Sequence, residues 1–285
     1  MPDVDPAVGG GGPGGPEESP LLVAAFRGWN DAADSASDAV SHLVEAWGAE
    51  VVAELDPEPY YDFQVNRPEA VVLEDGSRGL EWPGTRVLRA RVRERTVLLV
   101  DGTEPSTRWR SFARELLDVA RGHGVQRLVT LAALLTDVPH TRPIPVSATV
   151  QDPALAEAWG LDVSTYEGPT GIVGVLQHEA AASGLPGVSL WAAVPHYVAQ
   201  PPNPKSTLAL LGRLEDLTGL SSPVSELREE ADAWQRGVDE LAQEDEEIAE
   251  YVAQLEEARD TADLPEASGE AIAREFERYL RRRDR

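Results

Sequence analysis

Short apolar runs alternate with stretches of helical spacing over most of the chain. The clearest runs cover residues 21–26, 96–100, 127–135 and 188–194, and their length and composition are typical of buried strands. Weaker strand patterns lie at residues 50–55, 70–73 and 85–92, the last two on either side of a turn at 74–76. Between these runs apolar residues recur every three or four positions, which indicates helices. This alternation predicts a three-layer α/β/α sandwich around a mostly parallel sheet.

The two ends of the chain have different patterns. Residues 1–19 hold many glycines and prolines and almost no apolar side chains, so we expect a disordered tail. From residue 222, apolar residues at gaps of three and four predict a long helix or helix pair, broken at Asp245 and acidic on its outer face. This pattern suits a coiled coil, or packing against its own domain or a neighbouring subunit. A final helix is predicted to end at the arginines 281–283. The predicted organisation is therefore a tail (1–19), an α/β/α domain (20–220) and an acidic helical extension (221–285).

Composition excludes several classes of function. The formal net charge of -25 would repel nucleic acid and anionic membranes. Without cysteine there is no disulfide, thiolate metal site or cysteine nucleophile. No apolar run approaches the roughly 20 residues that span a bilayer, and the first residues lack the order of a signal peptide. We expect a cytoplasmic protein with no metal and no cofactor.

The stretch from 166 to 205 organises the predicted domain. A glycine-rich turn at 168–171 leads into helical spacing that stops at Gly184, and the next strand ends in Pro195-His196-Tyr197. Backbone N–H groups at the start of such a helix could hold an anion or a carboxylate. A tight turn with close helix packing is the alternative explanation of the glycines.

Loops after the strands that end near residues 26, 100, 135 and 194 should emerge together at one edge of the sheet. We therefore predict one polar cleft in which Arg142 and the turn at 168–171 bind a small anion or a peptide carboxylate; a structural salt bridge is the alternative role of Arg142. The candidate residues of this cleft are Trp29, Asn30, Asp31, Thr103, Glu104, His140, Thr141, Arg142, Glu167, Gly168, Thr170, Gly171, His196 and Tyr197.

The chemistry of these candidates stays open. His140 and His196 could act as acid or base with Glu104 or Glu167, or could fall in these loops by chance. The pair at 30–31 is more typical of a helix cap than of a general base. The sequence contains no phosphate-binding loop, dinucleotide fingerprint, nucleophile elbow or metal-binding helix, so no catalytic residue is assigned.

Several motifs together resemble a known family. They read GWNDA at 28–32, VPHTRP at 138–143, YEGPTGI at 166–172, PHY at 195–197 and PNP at 202–204. In this order they are similar to the bacterial branch of the proteasome assembly chaperone family, particularly its actinobacterial members. The resemblance implies an α/β/α sandwich similar to the purine nucleoside phosphorylase and peptidyl hydrolase folds, with self-association. Eukaryotic members help proteasome α-subunits to assemble without catalysis.

The resemblance favours a non-catalytic binding or assembly protein whose partners are further copies of itself, with a trimer as one form, and proteasome subunits. The C-terminal helices would contribute to self-association, because a regular apolar stripe needs a partner surface. The end of the chain at 281–285 departs from the hydrophobic-Tyr-X tail through which eukaryotic members act. The alternative function is a small-molecule enzyme of phosphorylase or hydrolase type that uses the polar cleft.

Overall fold

The computed structural model describes residues 19–73 and 75–263. The predicted tail, apart from Ser19, and the predicted final helix lie outside these residues. The described strands are β1 (Leu21–Arg27), β2 (Glu50–Leu55), β3 (Glu69–Val72), β4 (Arg78–Glu81), β5 (Thr85–Val92), β6 (Arg95–Thr103), β7 (Arg127–Thr136), β8 (Val146–Val150), β9 (Asp162–Val163) and β10 (Gly187–Pro195). The described α-helices are α1 (Ser35–Ala46), α2 (Trp109–Gly122), α3 (Pro153–Trp159), α4 (Ile172–Ala182), α5 (Pro204–Thr218), α6 (Ser225–Glu244) and α7 (Glu246–Asp263).

The large sheet has the strand order β2-β5-β6-β1-β7-β10-β8-β9. Its centre is parallel, because β1 pairs in parallel with both β6 and β7, and β10 pairs in parallel with β7. Antiparallel pairs flank this centre: β5 runs against β6, β2 against β5, and β8 against β10. The predicted α/β architecture with a mostly parallel sheet is therefore confirmed, with antiparallel strands added towards both sides.

The two faces of the sheet bury two separate sets of side chains. Alternate residues of β1 point to opposite faces, so Leu21 and Val23 join one core while Leu22 and Phe26 join the other. The first core is covered by α1, α3 and α5, and the second by α2 and α4. Burial on both faces explains why β1 reads as a continuous apolar run in the sequence.

Sequence patterns predicted β2, β3 and β5 but missed the short strands β4, β8 and β9. Strand β3 pairs with β4 in a small separate sheet, whereas β5 belongs to the large sheet. Strand β4 was overlooked because its sequence, RGLE, is polar and contains a glycine. Strands β8 and β9 were also missed. These short strands add to β10 and to each other, so pairing with an existing sheet, more than their own propensity, holds them in place.

The C-terminal helices pack against their own domain. On α6, Ala231 and Val238 are buried, and Leu227 packs against the core that α5 also covers. The two helices separate at Asp245, which adopts an extended conformation and whose carboxylate accepts a hydrogen bond of 2.9 Å from the backbone N–H of Glu247. This cap explains the break in the apolar register. Much of the apolar stripe is therefore buried within one chain.

Replacing Phe112 by alanine should destabilise the fold strongly. Phe112 is fully buried, with its ring centroid 5.8 Å from that of Phe26 and 5.3 Å from that of Tyr60. Loss of this ring leaves a cavity between α2 and the sheet, so we expect the free energy of unfolding to fall by about 3–5 kcal/mol, measured by urea denaturation. The exposed Val65 provides a control, and Val65→Ala should change stability by no more than about 0.5 kcal/mol. Equal effects of the two substitutions would contradict this core assignment.

Candidate functional site

The loops that follow β1, β6, β7 and β10 emerge at one edge of the sheet. The pairing registers place Arg27 beside Thr103 and Pro195 beside Thr136, so the four strands end side by side. The candidate residues that follow these strands lie at this edge, as expected for parallel strands. Their contacts, however, do not form one cleft: one group meets the start of α4, another meets α6 and α7, Asp31 caps α1, and the rest lie beside a groove.

The first group surrounds the carboxylate of Glu104. Its Oε1 accepts a hydrogen bond of 2.9 Å from the side-chain amide of Asn30 and another of 2.8 Å from the backbone N–H of Ile172. Ile172 is the first residue of α4, so a carboxylate from the same chain occupies the positive N-terminus of this helix. The sequence predicted that this turn would hold an anion, and in the structure Glu104 takes that place.

Close packing explains the glycines around this contact. A Cβ atom on Gly171 would lie 2.1 Å from the amide nitrogen of Asn30 and 2.6 Å from Oε1 of Glu104. A Cβ atom on Gly174 would lie 2.0 Å from the hydroxyl oxygen of Thr170. Space therefore explains the glycine at 171, which was the alternative explanation that the sequence left open, whereas the overlap at 174 is with the end of an exposed side chain.

Asp31 and Thr103 also have structural contacts. The buried carboxylate of Asp31 accepts a hydrogen bond of 2.7 Å from the backbone N–H of Ala36 and a longer one of 3.3 Å from that of Ser37, at the start of α1. Burial raises the pKa of Asp31 to about 6, while these hydrogen bonds favour its charged form. The carbonyl of Thr103 accepts a hydrogen bond of 2.8 Å from the hydroxyl of Tyr61. The contacts of Asp31 are those of a helix cap.

The second group begins with His140, whose side chain is only 1% exposed. The hydroxyl of Tyr197 lies 2.7 Å from both Nδ1 and the backbone nitrogen of His140, and Nε2 lies 3.0 Å from a carboxylate oxygen of Asp239 on α6. Burial lowers the pKa of His140, so the ring is neutral at pH 7. The backbone N–H of His140 donates a hydrogen bond to the hydroxyl oxygen of Tyr197. The hydroxyl hydrogen can then be donated to Nδ1 of the neutral ring, and the Nε2–H group can donate to Asp239. Both ring nitrogens are thus used within the chain.

Arg142 connects the same loop to α7. Its guanidinium makes two hydrogen bonds to the carboxylate of Asp260, of 2.9 and 2.8 Å, and a third of 3.0 Å to Glu256. The hydroxyl of Thr141 also donates to Glu256. The hydrogen bond with Asp260 raises the pKa of Arg142. This is the structural salt bridge that the sequence left as an alternative, and the predicted anion clamp would have to break it.

Two further side chains complete this junction. Nζ of Lys205, at the start of α5, donates to the carbonyl of His140 and to the side-chain oxygen of Gln235 on α6. Sequence patterns assigned no role to Lys205, although its being the single lysine of an acidic chain was a visible signal. The ring of His196 meets those of Tyr197 and Tyr251 edge-on, with centroids 5.8 and 5.5 Å apart. These contacts hold α6 and α7 against the sheet edge.

The remaining candidates lie beside an open apolar groove of about 990 Å³, which we call the sheet groove. Side chains of β7, β8, β10 and α4 line it on the face covered by α2 and α4, together with the loop at 164–170. Trp29, Gly168 and Thr170 are among its lining residues, whereas Glu167 is exposed and contributes no contact to it. Its apolar lining includes Leu134, Tyr166, Val173 and Trp191. The sequence did not predict this groove, because it depends on which face of each strand a helix leaves uncovered.

Gly171→Ala should test the contact around Glu104. The added methyl group overlaps the side chains of Asn30 and Glu104, so we expect a loss of about 1–3 kcal/mol in the free energy of unfolding. Gly212→Ala is a matched control within α5, where a Cβ atom meets no other atom within 4 Å, and it should be neutral or stabilising. Thermal and urea denaturation of both variants measure the difference. If Gly171→Ala leaves the free energy of unfolding unchanged, the packing around Glu104 is not as tight as described.

Arg142→Ala should loosen α7 without unfolding the sheet. The substitution leaves Glu256 and Asp260 without their cation, so the amide hydrogens of α7 should exchange faster with deuterium. Exchange in β1 and β7 should not change, as measured by mass spectrometry. Arg91→Ala removes a surface ion pair with Glu94 and should leave α7 unaffected. Unchanged exchange in α7 after the Arg142 substitution would contradict the assigned role.

Residues 25–242, more than half of the chain, match the model of the PAC2 family. The structure is similar to a PAC2 family protein from Streptomyces avermitilis, with 57% sequence identity and a TM-score of 0.78, covering 82% of this chain and 100% of that chain. It is also similar to the proteasome-assembly chaperone homologue Rv2125 of Mycobacterium tuberculosis, with 49% identity and a TM-score of 0.75, covering 81% of this chain and 99% of that chain.

An archaeal proteasome activator, PbaB of Pyrococcus furiosus, shares the fold at 18% identity, with a TM-score of 0.63 over 79% of this chain and 93% of that chain. No curated protein matches the sequence. Within residues 19–73 and 75–263, no helix is long and apolar enough to cross a membrane, and no group of three or more histidine, aspartate or glutamate side chains is placed to hold a metal ion. The family model and the two bacterial structures confirm the resemblance drawn from the sequence: this chain belongs to the PAC2 family.

Proposed function

We propose that this chain is a non-catalytic protein-binding protein that assists the assembly of proteasome subunits in the cytoplasm. The observation that carries the proposal is that the side chains of Glu104, His140 and Arg142 are engaged by other parts of the same chain, whereas Glu167 is exposed. Membership of the PAC2 family supports it, as does the similarity to a proteasome-assembly chaperone homologue. In this role the chain acts by contact with other proteins.

The contacts of the charged residues favour binding over catalysis. A general acid or base must reach the proton of a substrate, yet the ring nitrogens of His140 both have partners inside the chain. Glu104 is bound to the start of α4, and Arg142 is bound to α7. The alternative of a phosphorylase- or hydrolase-type enzyme therefore gains no support. By contrast, Trp29 and Tyr166 are largely exposed, and such aromatic side chains are enriched at protein–protein interfaces.

The charge of the chain indicates which surface a partner would present. The outer faces of α6 and α7 expose a continuous series of carboxylates in a chain whose formal net charge is -25. A basic surface on a proteasome subunit would be attracted to these carboxylates. Salt would weaken that attraction, because it screens exposed charges that lie more than about 10 Å apart. The exposed acidic residues of these helices include Glu226, Glu229, Glu230, Glu240, Glu244, Glu246, Glu247 and Glu250.

Mixing the full chain with proteasome α-subunits of the same organism tests the proposal. We expect a complex in native mass spectrometry and faster formation of α-subunit rings, both weakening as salt is raised. The triple variant Glu226→Gln/Glu229→Gln/Glu230→Gln should bind more weakly, because it removes three carboxylates from one face of α6. Glu45→Gln/Glu50→Gln/Glu54→Gln removes the same charge elsewhere and is the control. Absence of a complex and of any effect on ring formation, at low salt, would overturn the proposed function.

A further inference from the structure

We propose that the sheet groove binds a small molecule that combines a flat apolar body with one carboxylate. The aromatic side chains of the groove contact the body, and Arg110, which lines the groove, meets the carboxylate. The proposal concerns a small ligand and does not depend on the proteasome partner proposed above.

Strands β8 and β10 form the floor of the groove. Their antiparallel register places Ser189 opposite Thr149, and it also places Trp191 opposite Ser147. Residues that lie opposite each other share a face of the sheet, and all four of these residues line the groove. The floor is therefore one large ring among small hydroxyl side chains, which leaves space above it. The volume of about 990 Å³ lies within the range of roughly 300–1,000 Å³ that is usual for small-molecule sites.

Apolar side chains form much of the rest of the lining. Val173, near the start of α4, is buried, and Leu134, near the end of β7, is 41% exposed. Trp29 and Tyr166 add two largely exposed rings. The hydroxyl of Tyr166 donates a hydrogen bond of 2.8 Å to the carbonyl of Pro169, which fixes the shape of the loop beside the groove. Such an apolar and aromatic lining suits a flat apolar molecule.

Some polar groups on the floor are available to a ligand. Within residues 19–73 and 75–263, the indole N–H of Trp191 and the hydroxyls of Ser147 and Thr149 make no hydrogen bond to another group of the chain. An indole N–H can only donate, whereas a hydroxyl can donate or accept. These groups therefore favour a ligand that carries hydrogen-bond acceptors, as a carboxylate does.

The charged groups at the groove favour an anion. The carboxylate of Glu179 lies 3.0 Å from Nε of Arg114 and 3.8 Å from Nε of Arg110. Two positive charges thus share one negative charge, so this cluster has a net charge of +1. The side chain of Arg110 is 81% exposed and makes the longer contact, which leaves its guanidinium free to turn towards a ligand. Arginine binds a carboxylate through two parallel hydrogen bonds.

The charge of the whole chain does not exclude this ligand. Salt screens charges that lie more than about 10 Å apart, so the nearest groups dominate. The acidic helix α6 packs on the core of the opposite face of the sheet, through Leu227. A carboxylate in the groove therefore responds chiefly to the arginines of α2.

Cinnamate is a probe with this chemistry, and cinnamyl alcohol is its uncharged counterpart. In calorimetric titrations of the full chain, cinnamate should bind at least about fivefold more tightly, because hydrogen bonds between charged groups are stronger than those of a neutral hydroxyl. With Arg110→Gln the two affinities should differ by less than about twofold. Arg121→Gln is the control, because Arg121 lies on the same helix, pairs with Asp118 and does not line the groove, so this variant should keep the full preference.

Nuclear magnetic resonance of the indole N–H groups shows where cinnamate binds. The signals of Trp29 and Trp191, assigned by substitution with phenylalanine, should move during the titration. The signal of Trp47 should stay, because this indole donates to the carbonyl of Ser221 and packs on the opposite face of the sheet. Ser147→Trp fills the floor at an exposed position and should weaken the binding of both probes at least about tenfold. Thermal denaturation checks that each variant folds.

Four results would each overturn the proposal. They are a failure of cinnamate to bind, equal affinities for cinnamate and the alcohol, an unchanged preference after Arg110→Gln, and binding that leaves the Trp191 signal in place. Sedimentation with and without cinnamate tests another occupant: if a second copy of the chain fills the groove, cinnamate lowers the measured mass, and the groove is then a protein contact. None of these measurements contains a proteasome subunit, so their failure is distinct from failure of the proposed function.

Discussion

The carboxylate of Glu104 at the N-terminus of α4 is the contact on which the sheet edge depends. It joins the loop after β6 to Asn30 in the loop after β1 and to the first turn of the helix that precedes β10. Three segments far apart in the sequence are thereby fixed by one side chain that also neutralises a helix dipole. Gly171 is required beside it because no larger residue leaves space for the carboxylate. An enclosed anion in the chain itself replaces the external anion that such a turn could otherwise bind.

At the other half of this edge, side chains reduce the repulsion between acidic helices and an acidic domain. Helices α6 and α7 are acidic, and they pack on a chain that is itself strongly acidic. Arg142, Lys205 and His140 meet them at the sheet edge, where the two cations offset carboxylate repulsion and the buried ring supplies a directed hydrogen bond to Asp239. The residues that looked most like catalytic groups are thus the ones that hold these helices in position.

Once those polar groups are assigned to the fold, an open apolar surface remains beside them. The sheet groove lies on the face of the sheet that α2 and α4 cover, and its charged lining residues are Arg110 and Glu179. Such a surface marks an interaction site. Acidic helices and the apolar groove divide the exterior into regions suited to different partners.

The α/β architecture, the order of the main elements and the edge at which the strand-end loops meet could be predicted from the sequence, because buried parallel strands must read as apolar runs between amphipathic helices. The sequence also pointed to a cap at Asp31 as one of two roles. Only the folded chain shows that His140 and Arg142 pair with Asp239 and Asp260, more than 90 residues away. It also decided that β3 and β4 leave the main sheet, since weak strands take the pairing that the rest of the fold offers. Patterns along a chain report which face is buried, whereas the partner of a polar group depends on what the folded chain brings beside it.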